Sequence, residues 1–136
     1  LSLHDALPIY PRFKSEFGYH IVVIMKTING FEHYLIHSDG KVFASHLNRF
    51  LSPYSNGLGY QAVKLLNPIS KVRTQKYIHR LVAEHYIGNC YNLDVNHIDG
   101  DKSNNNFLNL EIVSHQENMQ HAFDNQLLKG FVEQFY

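Results

Sequence analysis

Apolar positions in the first part of the chain come in short, β-prone runs separated by turn residues, and beyond residue 77 they change to helical spacing. Tyr34-Leu35-Ile36-His37 and Lys41-Val42-Phe43-Ala44 flank Ser38-Asp39-Gly40. Asp-Gly supplies the positive φ that a tight turn requires, which predicts a β-hairpin. Residues 53–59, with Ser, Asn and two Gly, read as a loop. A second strand pair is expected over 60–65 and 72–76, joined across Asn67-Pro68, with Lys64, Arg73 and Lys76 on one solvent face. From 77 to 87 the residues Ile78, Leu81, Val82 and Tyr86 recur at helical spacing, and Gly88-Asn89 supplies a stop.

Further on, residues 93–96 and 108–113 read as two short strands around a polar connection at 99–106. Ser114 and Glu117 form a capping-box pattern, so a helix is expected from the Ser114 N-cap to about residue 128, with Asn118 in its first or second turn. The expected fold class is α+β: a small β-rich part followed by a strand, loop, strand, helix unit.

The chain of 136 residues, 44% hydrophobic, has room for one compact unit or two very small modules. One cysteine, Cys90, excludes an internal disulfide framework and a Cys-rich structural zinc site, and favours a reducing compartment. The longest apolar run, Ile21-Val22-Val23-Ile24-Met25, is five residues, far short of a membrane span. The first nine residues read like the translation of a sequencing-adapter oligonucleotide. Residues 1–24 are therefore expected to be a leader outside the native fold, with Met25 the true start.

Net charge is zero, but its distribution is uneven. Residues 1–40 carry three basic and four acidic groups, 41–80 seven basic and no acidic, and 81–136 two basic and eight acidic. Seven cations without an anion suit either a phosphate-facing surface or a plain solvated face, and the chemistry that follows favours the first.

That chemistry is densest in Val95-Asn96-His97-Ile98-Asp99-Gly100-Asp101-Lys102-Ser103-Asn104-Asn105, followed by Asn109-Leu110-Glu111 and Ser114-His115-Gln116-Glu117-Asn118. A histidine, several amides and a capped helix in this span are what a compact metal-assisted phosphodiesterase needs. The segment resembles the HNH nuclease motif, in the form found in phage and intron-encoded homing endonucleases. Tyr77-Ile78-His79-Arg80-Leu81-Val82-Ala83-Glu84 resembles the helix that precedes the motif in that group. Ile28-Asn29-Gly30-Phe31-Glu32 through Gly40-Lys41-Val42 is similar to the small modular domain often placed ahead of such nucleases. The resemblance covers roughly residues 25–130 and implies a ββα-metal (His-Me finger) core.

Under this reading residues 25–76 form a basic β-rich module that positions double-stranded DNA, 77–130 the HNH core, and 131–136 a tail, beyond which the DNA-reading segment common in relatives is either absent or lost with the end of the fragment. His97 is the expected general base, since an imidazole accepts a proton near neutral pH, and the resemblance places the base at the same position. Asn96 and Asn118 are the expected metal ligands through their amide oxygens, which suit a hard cation, Mg²⁺ first and Mn²⁺ second. Neighbours on a strand point to opposite faces, so Asn96 and His97 can serve one site only if the strand ends or bends there, and Gly100 nearby is consistent with a bend. Many family members have Asp where Asn96 stands. The resemblance makes Asn109 the central Asn of the motif, tying the polar loop to the hairpin.

Asp94, Asp99, His115 and His121 rank lower, as water-mediated or direct ligands or phosphate contacts. Asn104 and Asn105 are expected to satisfy turn backbone groups. His79 and Arg80 join Lys64, Arg73 and Lys76 as expected DNA contacts, with packing beneath the motif as the alternative for the first two. A calcium loop starting at Asp99 fails, because its sixth and twelfth positions are Asn104 and Leu110. The expected function is a metal-dependent DNA endonuclease acting as a monomer in the cytoplasm of a phage-infected or bacterial cell, not secreted and without a membrane partner. The alternative is a DNA-binding module whose nuclease core is weak or inactive.

Overall fold

The structure, a computed structural model, describes residues 12–14, 20–22 and 25–135, with side chains given over 25–126. Most of the expected leader lies outside the described residues; within it β1 (Arg12–Lys14) pairs antiparallel with β2 (His20–Val22). A four-stranded antiparallel sheet follows, in the order β3 (Lys26–Ile28), β4 (Phe31–Ile36), β5 (Val42–Ala44), β6 (Arg49–Phe50). The β4–β5 connection is the expected hairpin, closed by a hydrogen bond from Gly40 N to His37 O at 2.9 Å with Gly40 at φ 99°.

Both faces of that sheet are covered. Tyr34 and Ile36 enter the main core, while Leu35 packs with Met25, Phe43 and Phe50 on the other side, so β4 shows a buried run rather than alternation.

A three-stranded sheet joins β7 (Tyr54–Ser55), β8 (Gln61–Leu66) and β9 (Arg73–Tyr77). Asn67 Oδ1 accepts from Ile69 N and Ser70 N at 2.9 and 3.0 Å, which is how the turn at Asn67-Pro68 is built. The register pairs Lys64 with Gln75, Leu66 with Arg73 and Val63 with Lys76. Cross-strand partners share a face, so Lys64 and Arg73 lie together while Lys76 points to the opposite side, with its Nζ 5.5 Å from the centre of the Phe31 ring. The expectation of one three-cation face is corrected by this parity.

Helix α1 (Ile78–Tyr86) begins directly after β9, and β10 (Asp94–His97) pairs antiparallel with β11 (Leu110–Val113). A 3₁₀ turn at Phe107–Asn109 leads into β11. Helix α2 (His115–Phe135) follows, several residues longer than expected, since no proline interrupts it. Its N-terminus has the predicted capping box: Glu117 N donates to Ser114 Oγ at 3.1 Å and Ser114 N to Glu117 Oε2 at 3.4 Å.

One apolar cluster runs through these parts, with Ile36, Val42, Val63 and Leu65 from the two sheets meeting Leu81 and Val82 of α1 and Val95 and Leu110 of the last hairpin. Helix α1 is the slab between them. Tyr86 Oη donates to Ile36 O at 2.6 Å, and Tyr34 Oη accepts from Leu66 N at 3.2 Å, so a half-buried and a buried tyrosine cross-link the layers by hydrogen bonds. Among the described residues no helix is long and apolar enough to cross a membrane.

Candidate active site

Strand β10 sorts its side chains by parity. Val95 and His97 turn into the core, and Asp94 and Asn96 turn to the half-buried face. The pairing continues unbroken from Asp94↔Val113 to His97↔Leu110, so there is no bend at Asn96. Of the two routes to one site it is the strand's end, and not a bend within it, that applies: the two residues leave opposite faces at the end of β10, and the turn comes afterwards, at Gly100 (φ 76°). Both nevertheless line one open cleft of about 680 Å³, together with Asp99, Glu111, Asn118, His121 and Asp124.

On the half-buried face the amides are held by carboxylates. Asn96 Nδ2 donates to Glu111 Oε1 at 2.8 Å, across the register pair Asn96↔Glu111. Asn118 Nδ2 donates to Asp94 Oδ2 at 2.9 Å, which also receives His115 Nδ1 at 2.9 Å. Carboxylates only accept, so these bonds fix which end of each amide is nitrogen and leave the Oδ1 atoms as the spare hard donors. The hydrogen bond from Asn118, then that from His115, holds the Asp94 carboxyl below its ordinary range. Asp94 and Glu111 thus orient the amides. Glu111 was missed in the sequence because finding it requires the hairpin register. His115 is exposed and engaged with Asp94, and His121 lines the cleft one helical turn beyond Asn118.

The donor set fits a hard divalent cation that keeps part of its water: two amide oxygens flanked by Asp94, Glu111 and Asp124. Among the described residues no group of three His, Cys, Asp or Glu side chains is placed to hold a metal by itself.

The polar loop is organised by Asn109 and Asp99. Asn109 Oδ1 accepts from Asp99 N at 3.1 Å, while its Nδ2 donates to Asp99 Oδ1 at 2.9 Å and Asn104 O at 2.8 Å. Asn104 Nδ2 adds a bond to Asp99 Oδ2 at 2.9 Å. The bond from Asn104, then those from Asp101 N and Asn109, depresses the Asp99 carboxyl pKa. Asp99 serves as the acceptor that knots the loop.

His97 is 5% exposed, with Nε2 2.8 Å from Asn105 Oδ1. Its ring sits 5.2 Å from that of His79 and 6.2 Å from that of Tyr60. His79 is itself buried and stacked on Tyr60 at 5.0 Å, so it packs beneath the motif and does not face solvent as a DNA contact. Arg80 is likewise turned inward, donating to Leu93 O and Cys90 O, each at 2.9 Å. It holds the loop between α1 and β10. Both expected DNA contacts are corrected, because α1 is covered on more than one side and its flanking polar residues are taken up in packing.

Burial, then the nearby His97 and Arg80, lower the His79 pKa from 6.5 to about 4. A histidine kept neutral by the fold adds stability that is present above pH 6.5 and is lost as pH falls toward 4, where the unfolded chain binds the proton first. His79→Phe keeps the ring stack and removes that titration. Thermal melts should therefore fall less steeply for the variant than for the parent between pH 6.5 and 4. Equal slopes would contradict this role.

A strand hairpin with an amide-lined face, a histidine at the strand tip and a following helix is the ββα form of nuclease core. Residues 76–120 match the family model for HNH endonucleases, and this segment belongs to that family. An uncharacterized HNH endonuclease of Acanthamoeba polyphaga mimivirus is 45% identical over 89 residues, covering 65% of this chain and 26% of the relative. The SPbeta prophage-derived protein YosQ of Bacillus subtilis (strain 168), named as an HNH homing endonuclease, is 42% identical over 83 residues, 60% of this chain and 44% of its own length. The chain thus spans less than half of either relative. A solved structure of the HNH homing endonuclease I-HmuI, described as binding and cleaving DNA, is similar with a TM-score of 0.68 and 31% identity, covering 79% of this chain and 59% of that one.

Proposed function

We propose that this chain is a divalent-metal-dependent DNA endonuclease in which His97 is the general base and Asn96 and Asn118 hold the cation, Mg²⁺ by preference and Mn²⁺ as a substitute. The single observation that carries this is the strand tip, where His97 and Asn96 leave opposite faces of β10 and still line one cleft with Asn118. In-line hydrolysis needs the attacking water and the departing oxygen on opposite sides of phosphorus, and consecutive strand residues supply two such sides.

His97 takes a proton from water as the water oxygen bonds to phosphorus and the bond to the 3′-oxygen breaks. Asn96 and Asn118 present their amide oxygens from positions fixed by Glu111 and Asp94. The chemistry supplied by a bound Mg²⁺ is stabilisation of negative charge on the phosphate and the departing oxygen. Glu111 and Asp124 would otherwise repel the phosphate, which supports a cation between them. Asn109 holds the loop, and exposed Lys64 and Arg73 on one face of the β8–β9 hairpin contact the phosphate backbone of duplex DNA. The protein acts as a monomer.

The products carry 5′-phosphate and 3′-hydroxyl ends. The expected result is that plasmid nicked by the chain in Mg²⁺ is resealed by DNA ligase without prior end treatment. Nicks that ligase reseals only after phosphatase and kinase treatment would contradict the direction of attack.

A further inference from the structure

We infer that Asn105 is a positioning residue for His97, fixing the imidazole tautomer with its proton on Nε2 and leaving Nδ1 to take the proton of the attacking water. The inference rests on the proposed nuclease reading for its last step, but its structural part stands apart from that reading. Asn105 is 6% exposed, one of three buried polar side chains among the described residues together with His79 and His97. Its Oδ1 lies 2.8 Å from His97 Nε2. An amide oxygen can only accept, so a neutral ring bonded to it carries its proton on Nε2 and has its lone pair on Nδ1.

The other nitrogen is left available. Among the described residues His97 Nδ1 has no hydrogen-bond partner, and the one buried side-chain polar atom without a partner is His79 Nδ1. His97 Nδ1 is therefore not sealed from solvent, and the residue borders the cleft. The rings of His79 and Tyr60 behind it oppose rotation of the imidazole.

Asn105 is placed in turn by the hairpin near the start of the chain. Phe107 N donates to Ser38 O at 2.8 Å, docking the polar loop on the β4–β5 turn. A Cβ added at Gly40 in that turn would stand 2.9 Å from Asn105 Cβ and 3.0 Å from Ile78 Cγ2. Only a bare glycine lets the loop sit deep enough for Asn105 to reach His97, and φ 99° disfavours any other residue there. A contact from residues 38–40 thereby sets the geometry of a base almost sixty positions later. The neighbouring Asn104 is turned away to Asp99.

The test is the nitrogen spectrum of the imidazole rings in the full 136-residue chain, at pH about 8.5 where imidazoles are neutral. The His97 signals are those that disappear in His97→Ala. The expected result is a proton on Nε2 in the parent, loss of that preference in Asn105→Leu, and its return in Asn105→Asp, which restores an acceptor. Cleavage by Asn105→Leu should fall at least on the order of a hundredfold in kcat with little change in KM, and Asn105→Asp should recover most of it. A parent proton on Nδ1, or a tautomer unmoved in Asn105→Leu, would overturn the assignment without needing any activity. Full cleavage by Asn105→Leu where His97→Ala is inactive would overturn its catalytic part. Activity that survives in His97→Ala would instead strike the assignment of His97 as the base in the proposed function.

Discussion

Replacing His97 by alanine is expected to lower the rate of DNA cleavage about 10³-fold while leaving DNA affinity nearly intact. A positioned general base contributes on the order of 10²- to 10⁴-fold, and 10³-fold corresponds to about 4 kcal/mol of barrier. Affinity is expected to be spared because, under the proposed function, it comes chiefly from phosphate contacts on the basic surface, whereas His97 is nearly buried and bonded to Asn105. His97→Gln is the companion variant, since it keeps a polar side chain for Asn105 and avoids leaving that buried amide unpaired. Single-turnover cleavage beside filter binding separates the two effects. A loss of binding equal to the loss of rate would point to misfolding rather than to a missing base.

The second large effect is expected from Asn118→Ala. Under the proposed function this change removes a ligand oxygen; it also removes the N–H that Asp94 receives at 2.9 Å, leaving Asp94 with His115 alone among its side-chain partners. Altering even an outer partner of a metal ligand costs roughly 10- to 100-fold in metal affinity, so loss of the ligand should raise the Mg²⁺ concentration for half-maximal cleavage by at least that factor. Excess Mn²⁺ should restore much of the rate in Asn118→Ala and none in His97→Ala. If added metal rescued both variants alike, or neither, the division of roles between the two faces of β10 would be wrong. Asn96→Asp should act in the opposite direction, because a carboxylate adds charge to the ligand set, although it would then face Glu111 across the pair Asn96↔Glu111.

The signals that were legible in the sequence are those whose physics is local. Asp39-Gly40 closes a hairpin through backbone conformation alone, and Ser114 with Glu117 caps α2 through bonds three residues apart. The helical spacing of Ile78, Leu81 and Val82 predicts the face of α1 that is buried. Asn109 also sits as expected, tying loop to hairpin through Asp99 and Asn104.

What was not legible depends on register and on distant packing. The inference that Lys76 shared a face with Lys64 and Arg73 failed because faces are set by pairing, and the pairing puts Lys76 opposite Val63. For His79 and Arg80 the sequence leaves DNA contact and packing beneath the motif both open. Their burial comes from Tyr60 and from the carbonyls of Cys90 and Leu93, which no local pattern announces. Glu111 emerges once Asn96 is paired with it, and Asn105 only when the turn at Gly40 is brought against the loop. Asn104, Asn105 and Asn106 are alike in sequence, yet they bond Asp99, His97 and the backbone of Leu108 respectively.

Under the proposed function the cleft between β10 and α2 hydrolyses DNA with His97 as its base. The most direct test is cleavage of supercoiled plasmid by the full chain in Mg²⁺, Mn²⁺ or chelator, run beside His97→Ala. The expected result is nicking that requires the metal and disappears in the variant. Plasmid left intact by both proteins with DNA binding retained, or nicked equally by both, would contradict it.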